Sequence, residues 1–137
     1  MAAANPPLRL LVIEDEALVA LEIESILRDV GYEIVGIADS LDGALAIASG
    51  TRPDLALVDM HLAEGQSGLT LAAALKARGT PTLFVTGNCP AEAGAGLAIG
   101  CLHKPFSDRS LAGAVAVAGE ILNGSTPETL PKAFHLF

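Results

Sequence analysis

The sequence predicts an α/β domain built on a parallel sheet, and three observations predict it. Short apolar runs and segments of helical period alternate five times between residues 8 and 123. The 137 residues are 51% hydrophobic and 18% charged, which is ample for one buried core and too apolar for wholesale disorder. Acids, a threonine and a lysine stand at the downstream ends of the apolar runs, the edge at which open parallel sheets bind ligands. Strands alternating with helices in this way imply right-handed crossovers covering both faces of the sheet.

The first run, residues 8–13, is apolar and ends in acids, as a buried parallel strand does. Val19, Ile23, Ile26, Leu27 and Val30 then recur at helical spacing opposite Glu22, Arg28 and Asp29, and Gly31 stops the pattern. Residues 32–37 read as the second strand. Residues 40–49 read as the second helix, with Leu41, Leu45 and Ala48 inward and Gly50 closing it; Pro53 punctuates. Residues 55–58 are an unbroken apolar third strand, hence buried on both faces, and Asp59 follows directly. A loop with Gly65, Ser67 and Gly68 leads into a helix from about residue 69 to 78, and residues 82–86 and 100–103 supply the last two strands. Between them, residues 88–99 hold Pro90, Gly94 and Gly96. Each glycine costs a helix about 1 kcal/mol relative to alanine, so a helix there should be short or labile. The final helix opens at Ser107 as N-cap, with Phe106 and Leu111 placed as a staple and Val115, Ala118 and Leu122 facing the core, and ends near Asn123 and Gly124. The expected boundaries are an N-terminal extension at 1–7, the domain at 8–123 and a tail at 124–137. The tail reads as a partly disordered end, with docking on this domain or on a partner as the alternative.

Lys+Arg 8 against Asp+Glu 16 leaves a net charge of −8. The basic residues are scattered from Arg9 to Lys132 and form no phosphate-neutralising stripe, while aromatics are 4% with no Trp. Both facts argue against direct nucleic-acid binding. No apolar run reaches the roughly 18 residues of a membrane span, and residues 1–7 lack a basic and then apolar export pattern. The expectation is a cytoplasmic protein without membrane insertion. Cys89 and Cys101 show no metal-ligand spacing with His61, His103 or His135 and are expected to be reduced thiols, Cys101 serving as a small buried filler.

Glu14 and Asp15, Asp59, Thr86 with Gly87, and Lys104 with Pro105 all belong to one sheet edge. Three carboxylates meeting there repel, since two unit charges at 4 Å cost roughly 4 kcal/mol at an effective dielectric of 20. A divalent cation relieves this, and an all-oxygen acidic site open to water suits Mg²⁺ better than zinc. Lys104 adds a fixed positive charge; Thr86 and the amides near Gly87 add donors. An acid nucleophile, a metal, a lysine and a hydroxyl together stabilise the oxygens of a transferring phosphoryl group. Asp59, alone at the end of the central strand, is the expected nucleophile, and Glu14 and Asp15 the metal ligands. Pro105 makes Lys104–Pro105 a candidate cis peptide.

These elements, in this order and at these strand ends, make residues 8 to about 123 resemble the receiver domain of two-component response regulators. Glu14-Asp15 matches the family's acidic pair, Asp59 the phosphoacceptor, Thr86 the switch hydroxyl and Lys104-Pro105-Phe106 the Lys-Pro-Phe signature. The resemblance implies a flavodoxin-like fold with strand order 2-1-3-4-5 and phosphoryl transfer from the phosphohistidine of a sensor histidine kinase or histidine phosphotransferase. It also implies Mg²⁺ held by Glu14, Asp15, Asp59 and the backbone carbonyl of His61, with slow self-dephosphorylation. Such a protein is a self-catalysing phosphoacceptor in signalling rather than an enzyme. Three departures accompany the match. Cys101 stands where many receivers carry the Tyr or Phe that turns inward on activation, and Glu14 stands where the common pattern has Asp. Phe84-Val-Thr-Gly-Asn88 resembles the Phe-Ala-Thr-Gly pattern of a receiver subgroup found largely in alphaproteobacteria, without its following Tyr.

His61 and Asn88 stand two residues after Asp59 and Thr86, where their side chains could border the phosphoryl group and steer water. The expected function is a single-domain response regulator, since the residues after 123 are too few for a DNA-binding module. Its output is then an interaction with a downstream protein target, with a homodimer as a further candidate assembly. Reordering of the segment after Thr86 is the expected switch. The rival reading is a pseudo-receiver that binds partners without phosphorylation. A phosphatase reading lacks the second acid of Asp-x-Asp, because Asp59-Met60-His61 stands there, and a flavodoxin reading fails because Glu14-Asp15-Glu16 repels phosphate.

Overall fold

The computed structural model describes residues 7–90 and 96–137. Five strands, β1 (Arg9–Ile13), β2 (Glu33–Ala38), β3 (Leu55–Val58), β4 (Thr82–Thr86) and β5 (Gly100–His103), pair in parallel. A sixth, β6 (Phe134–Leu136), adds antiparallel to β5, giving the order β2-β1-β3-β4-β5-β6. The helices are α1 (Ala17–Asp29), α2 (Leu41–Thr51), α3 (Gly68–Ala77) and α4 (Asp108–Leu122), with a 3-10 turn at Ala63–Gly65.

Period-two alternation in the central strands sorts their side chains into two cores. Leu10, Val12, Leu55, Leu57, Leu83 and Val85 pack with Ile23 and Leu27 of α1 and Leu111 and Val115 of α4. Leu11, Ile13, Ala56, Val58 and Phe84 pack on the other face with Ala44 and Ala48 of α2 and Leu71 and Leu75 of α3. With apolar cover on both faces, β1, β3 and β4 have almost no solvent-exposed side chains, which is why the middle of β1 and β4 and the whole of β3 run apolar.

Local signals set most helix ends. Gly31 takes a left-handed φ of 101° just after α1. Ser40, Ser67 and Ser107 each accept a backbone N–H at a helix start, and Ser107 and Ser110 form a reciprocal capping box. One helix end differs from expectation. α2 runs through Gly50 to Thr51, and it is Arg52, at φ 50°, that closes it by donating its N–H to the Ala48 carbonyl.

Leu122, expected to face the core, is instead 41% exposed at the end of α4. Two further expectations are corrected. The tail docks instead of trailing: Phe134 is buried in the core, the Phe137 amide donates to Ile99 and the His103 amide to Ala133. The β6 backbone pairs along an edge of β5 that would otherwise expose unpaired N–H and C=O groups. Cys89 and Cys101 are joined in a disulfide, with Cα atoms 6.0 Å apart, and are not free thiols. Cys101 lies opposite Phe84 in the β4–β5 ladder, and the chain leaving β4 turns back over the same face, so residues distant in sequence meet. Part of the expected labile helix, residues 91–95, lies outside the described residues; the flanking residues 96–99 carry a turn and a bend.

Candidate functional site

The parallel register gathers the expected residues at one edge. Ile13 pairs with Val58 and Thr86 with His103, so Glu14, Asp59, Thr86 and Lys104 all sit at strand ends on the same side of the molecule. Glu14 and Asp59 are buried, at 3% and 7% exposure, whereas Asp15 is exposed. One carboxylate oxygen from each of Glu14, Asp15 and Asp59 lies within 4.8 Å of the others. Lys104 Nζ bonds Glu14 Oε1 and lies 3.3 Å from Asp59 Oδ2. The Lys104–Pro105 peptide is cis, and the Lys104 amide donates to the Thr86 carbonyl at 3.0 Å.

Electrostatics divide the two buried acids. Burial pushes Glu14 up to about 8, the adjacent Asp59 carboxyl pushes the same way, and Lys104 offsets only part of this. Burial also acts to raise Asp59, but Glu14, Thr86 and Lys104 outweigh it and hold its pKa below the usual value. Lys104 is raised: the two acids overcome the effect of its own burial. In the metal-free protein Glu14 therefore holds its proton to about pH 8, while the buried Asp59 is ionised beside the charged Lys104.

Glu14 Oε2 is buried and has no hydrogen-bond partner among the described residues. A buried oxygen left open beside two further carboxylates fits a hard cation held by oxygen ligands, so the donor set suits Mg²⁺.

Around this cluster the loops are ordered by short contacts. The His61 amide approaches Asp59 Oδ1 at 3.5 Å, and the Asn88 amide donates to Thr86 Oγ1 at 3.2 Å. His61 Nε2 and Asn88 Nδ2 lie 3.4 Å apart, so these two exposed side chains meet across the mouth of the site. Gly87 is exposed beside them. Cys101 lies off this cluster, on the Phe84 face of the sheet. Sequence reasoning passed over the role of Gly68. A β-carbon there would stand 2.4 Å from the Asp59 carbonyl oxygen and 2.8 Å from Met60 Cα, so only glycine lets α3 start against the Asp59 backbone. This demand comes from a tertiary contact and leaves no local pattern.

Residues 10–116 match the response regulator receiver domain family. The chain is similar to the phyllosphere-induced regulator PhyR of Methylorubrum extorquens, 38% identical over 86 residues, covering 61% of this chain and 32% of that protein. It is also similar to the transcriptional regulatory protein PdtaR of Mycobacterium tuberculosis, 32% identical over 122 residues, covering 85% of this chain and 59% of that one. Both matches take in less than two thirds of the relative's length. The crystal structure of the response regulator PhyR from Brucella abortus superposes with a TM-score of 0.74 at 29% identity, over 86% of this chain and 50% of that one. With the family matched over most of its length and the acidic pair, aspartate, threonine and lysine assembled at the family's sheet edge, the chain belongs to the response regulator receiver domain family.

Proposed function

We propose that residues 8–123 form a working phosphoacceptor: Asp59 takes a phosphoryl group from the phosphohistidine of a cytoplasmic sensor histidine kinase or histidine phosphotransferase. The phosphorylated protein then signals by binding a downstream protein. The observation that carries this reading is the buried cluster in which Lys104 bridges Glu14 and Asp59 while Glu14 Oε2 is left without a partner among the described residues. A purely structural ion pair at this depth would satisfy its own oxygens.

The chemistry follows from the residues' states. Asp59 is ionised, and its carboxylate oxygen attacks phosphorus in line with the leaving imidazole. The O–P bond forms as the N–P bond breaks, and the bonding pair departs on the histidine nitrogen. Glu14, Asp15, Asp59 and the His61 carbonyl would hold Mg²⁺, which would supply charge neutralisation for the phosphoryl oxygens. Lys104 supplies a second positive charge, while the Thr86 hydroxyl and the Gly87 amide supply donors. His61 and Asn88, meeting over the mouth, govern the approach of water to the acyl phosphate and hence its lifetime. Leu21 on α1, 54% exposed, lines one cleft with Glu14 and Asp15 and offers the donor protein an apolar footing.

The test is incubation with acetyl phosphate, with and without Mg²⁺, and intact-mass measurement beside Asp59→Asn. A Mg²⁺-dependent phosphoryl adduct that the substitution abolishes is the expected result. If neither acetyl phosphate nor a phosphohistidine donor gives an adduct, and beryllofluoride leaves amide exchange around Thr86 unchanged, the pseudo-receiver reading replaces this one.

A further inference from the structure

A second cluster of ligating side chains lies away from the acidic edge. Cys89 Sγ, a ring nitrogen of His103 and a ring nitrogen of His135 lie within 4.8 Å of one another. They come from three places in the chain: the loop after β4, the end of β5 and the middle of β6. The antiparallel ladder sets their approach. His135 stands opposite Cys101, and His103, two residues further along β5, projects from the same face. Their rings are 5.4 Å apart between centroids. The disulfide to Cys101 brings Cys89 over this face. All three ligating residues are only partly buried, so an ion can reach them.

We propose that Cys89, His103 and His135 bind a borderline-soft divalent cation of the zinc class when the Cys89–Cys101 disulfide is reduced, and cannot do so when it is formed. One thiolate and two imidazoles are the ligands such a cation prefers and the ones Mg²⁺ avoids. Tetrahedral bonds of about 2.0–2.3 Å place ligand atoms roughly 3.3–3.8 Å apart, so side-chain rotation without backbone movement closes the remaining distance. The fourth position is left to water.

The two states exclude each other because they use the same sulfur. A dithiol reductant transfers two electrons and two protons to the disulfide, leaves as its own disulfide, and yields Cys89 and Cys101 as thiols. Metal binding then takes Cys89 as thiolate and releases its proton to solvent. In both states the loop after Thr86 is fastened to β5, by a covalent bond in one and through the cation in the other. The cation also fastens β6, which the disulfide does not touch. Because Lys104 follows His103 directly, the clamp borders the acidic site, yet its formation does not require that Asp59 accept phosphate.

The test is titration with Co²⁺ as a coloured stand-in for zinc, with excess Mg²⁺ present to occupy the acidic edge. Reduced protein is expected to bind one equivalent with a sulfur-to-cobalt charge-transfer band, and oxidised protein none. Cys101→Ala, which leaves Cys89 without a disulfide partner, is expected to bind without reductant. Cys89→Ser should abolish the band. His103→Gln and His135→Gln should each weaken binding by roughly tenfold or more, since even outer-shell changes cost 10–100-fold. Circular dichroism of each variant separates a lost ligand from a lost fold. No band in either reduced protein or folded Cys101→Ala would overturn the proposal, as would undiminished affinity in both folded histidine variants. Neither result bears on phosphorylation of Asp59.

Discussion

Glu14 and Asp59 leave the sheet side by side because Ile13 and Val58 are register partners, and the Asp59 amide donates to the Ile13 carbonyl at 3.0 Å. The backbone ladder, not attraction between the side chains, forces two carboxyls into one buried space. Glu14 responds by keeping its proton to about pH 8, against 4.5 in its ordinary state. A carboxyl whose folded pKa is raised stabilises the fold fully below the unfolded value and loses that contribution as pH rises through the folded one. Metal-free stability should therefore fall between about pH 4.5 and 8, by at most about 1.4 kcal/mol per pH unit for one proton. Asp59, held below its ordinary 3.8, acts in the opposite sense only in more acid solution. Urea unfolding in chelator across this range checks the slope, which Glu14→Gln should remove. Mg²⁺ affinity should climb over the same interval because binding expels the Glu14 proton.

Lys104 is the cluster's only basic group among the described residues, bonded to both acids with its side chain 19% exposed. In Lys104→Gln, Glu14 remains protonated and limits the loss of stability. The loss falls on the transfer step, where a positive charge beside the phosphoryl oxygens is missing. A rate of adduct formation lower by about 10²–10³-fold is expected, read by mass spectrometry with acetyl phosphate. A decrease of less than threefold, with Mg²⁺ binding intact, would remove Lys104 from the chemistry.

Gly68 and Gly50 both sit in helices, yet alanine should have opposite effects at them. At Gly68 the new β-carbon would stand 2.4 Å from the Asp59 carbonyl oxygen, so α3 or the Asp59 backbone must shift, at a cost of about 1–3 kcal/mol. Phosphorylation should slow as well, since the displaced atoms carry the proposed nucleophile. At Gly50 a β-carbon would meet nothing within 4 Å among the described residues beyond its own helix backbone, and alanine should stabilise α2 by about 0.5–1 kcal/mol. Thermal melts of the two variants decide the matter by their sign.

Thr82 Oγ1 is buried in β4 without a hydrogen-bond partner among the described residues. Valine has nearly the same shape and replaces the stranded hydroxyl with a methyl group. Thr82→Val should raise stability by about 1 kcal/mol, measured by chemical denaturation. A destabilised variant would show that the hydroxyl is hydrogen-bonded to water in solution.

What the sequence made legible is what local chemistry controls. The apolar runs at β1, β3 and β4, the cap at Ser107 and the stop at Gly31 are all decided within a few residues. The acidic edge was legible for a different reason: in a parallel sheet every strand ends on the same side, so Glu14, Asp59, Thr86 and Lys104 are brought together by topology alone. The misses are contacts between elements. Cys89 reaches Cys101 only because the chain folds back from β4, His135 reaches His103 only because β6 pairs with β5, and Gly68 is demanded by the Asp59 backbone. Alternating Phe134, Leu136 and the polar His135 between them is a strand pattern, but three residues are too few for periodicity to establish one.

That short strand yields the last prediction. Phe134 is 6% exposed in the core shared by α1 and α4, and Gly100 meets the His135 carbonyl so closely that a β-carbon would stand 2.5 Å from it. Phe134→Ala removes a large apolar side chain from a packed site and should cost about 3 kcal/mol. Gly100→Ala keeps the Phe134 side chain but crowds its ring, at 3.0 Å from the new β-carbon, and collides more severely with the β6 backbone, so its effect should fall first on the pairing. The two substitutions can be told apart by amide exchange at His103, whose N–H donates to Ala133. It should accelerate strongly in Gly100→Ala, while exchange in β1 and β3 stays near the wild-type pattern. If β6 were a passive tail, both variants would match the wild type in stability and in His103 exchange. If it is the sixth strand, loosening it uncovers the β5 edge, and the freed edge should show as concentration-dependent self-association.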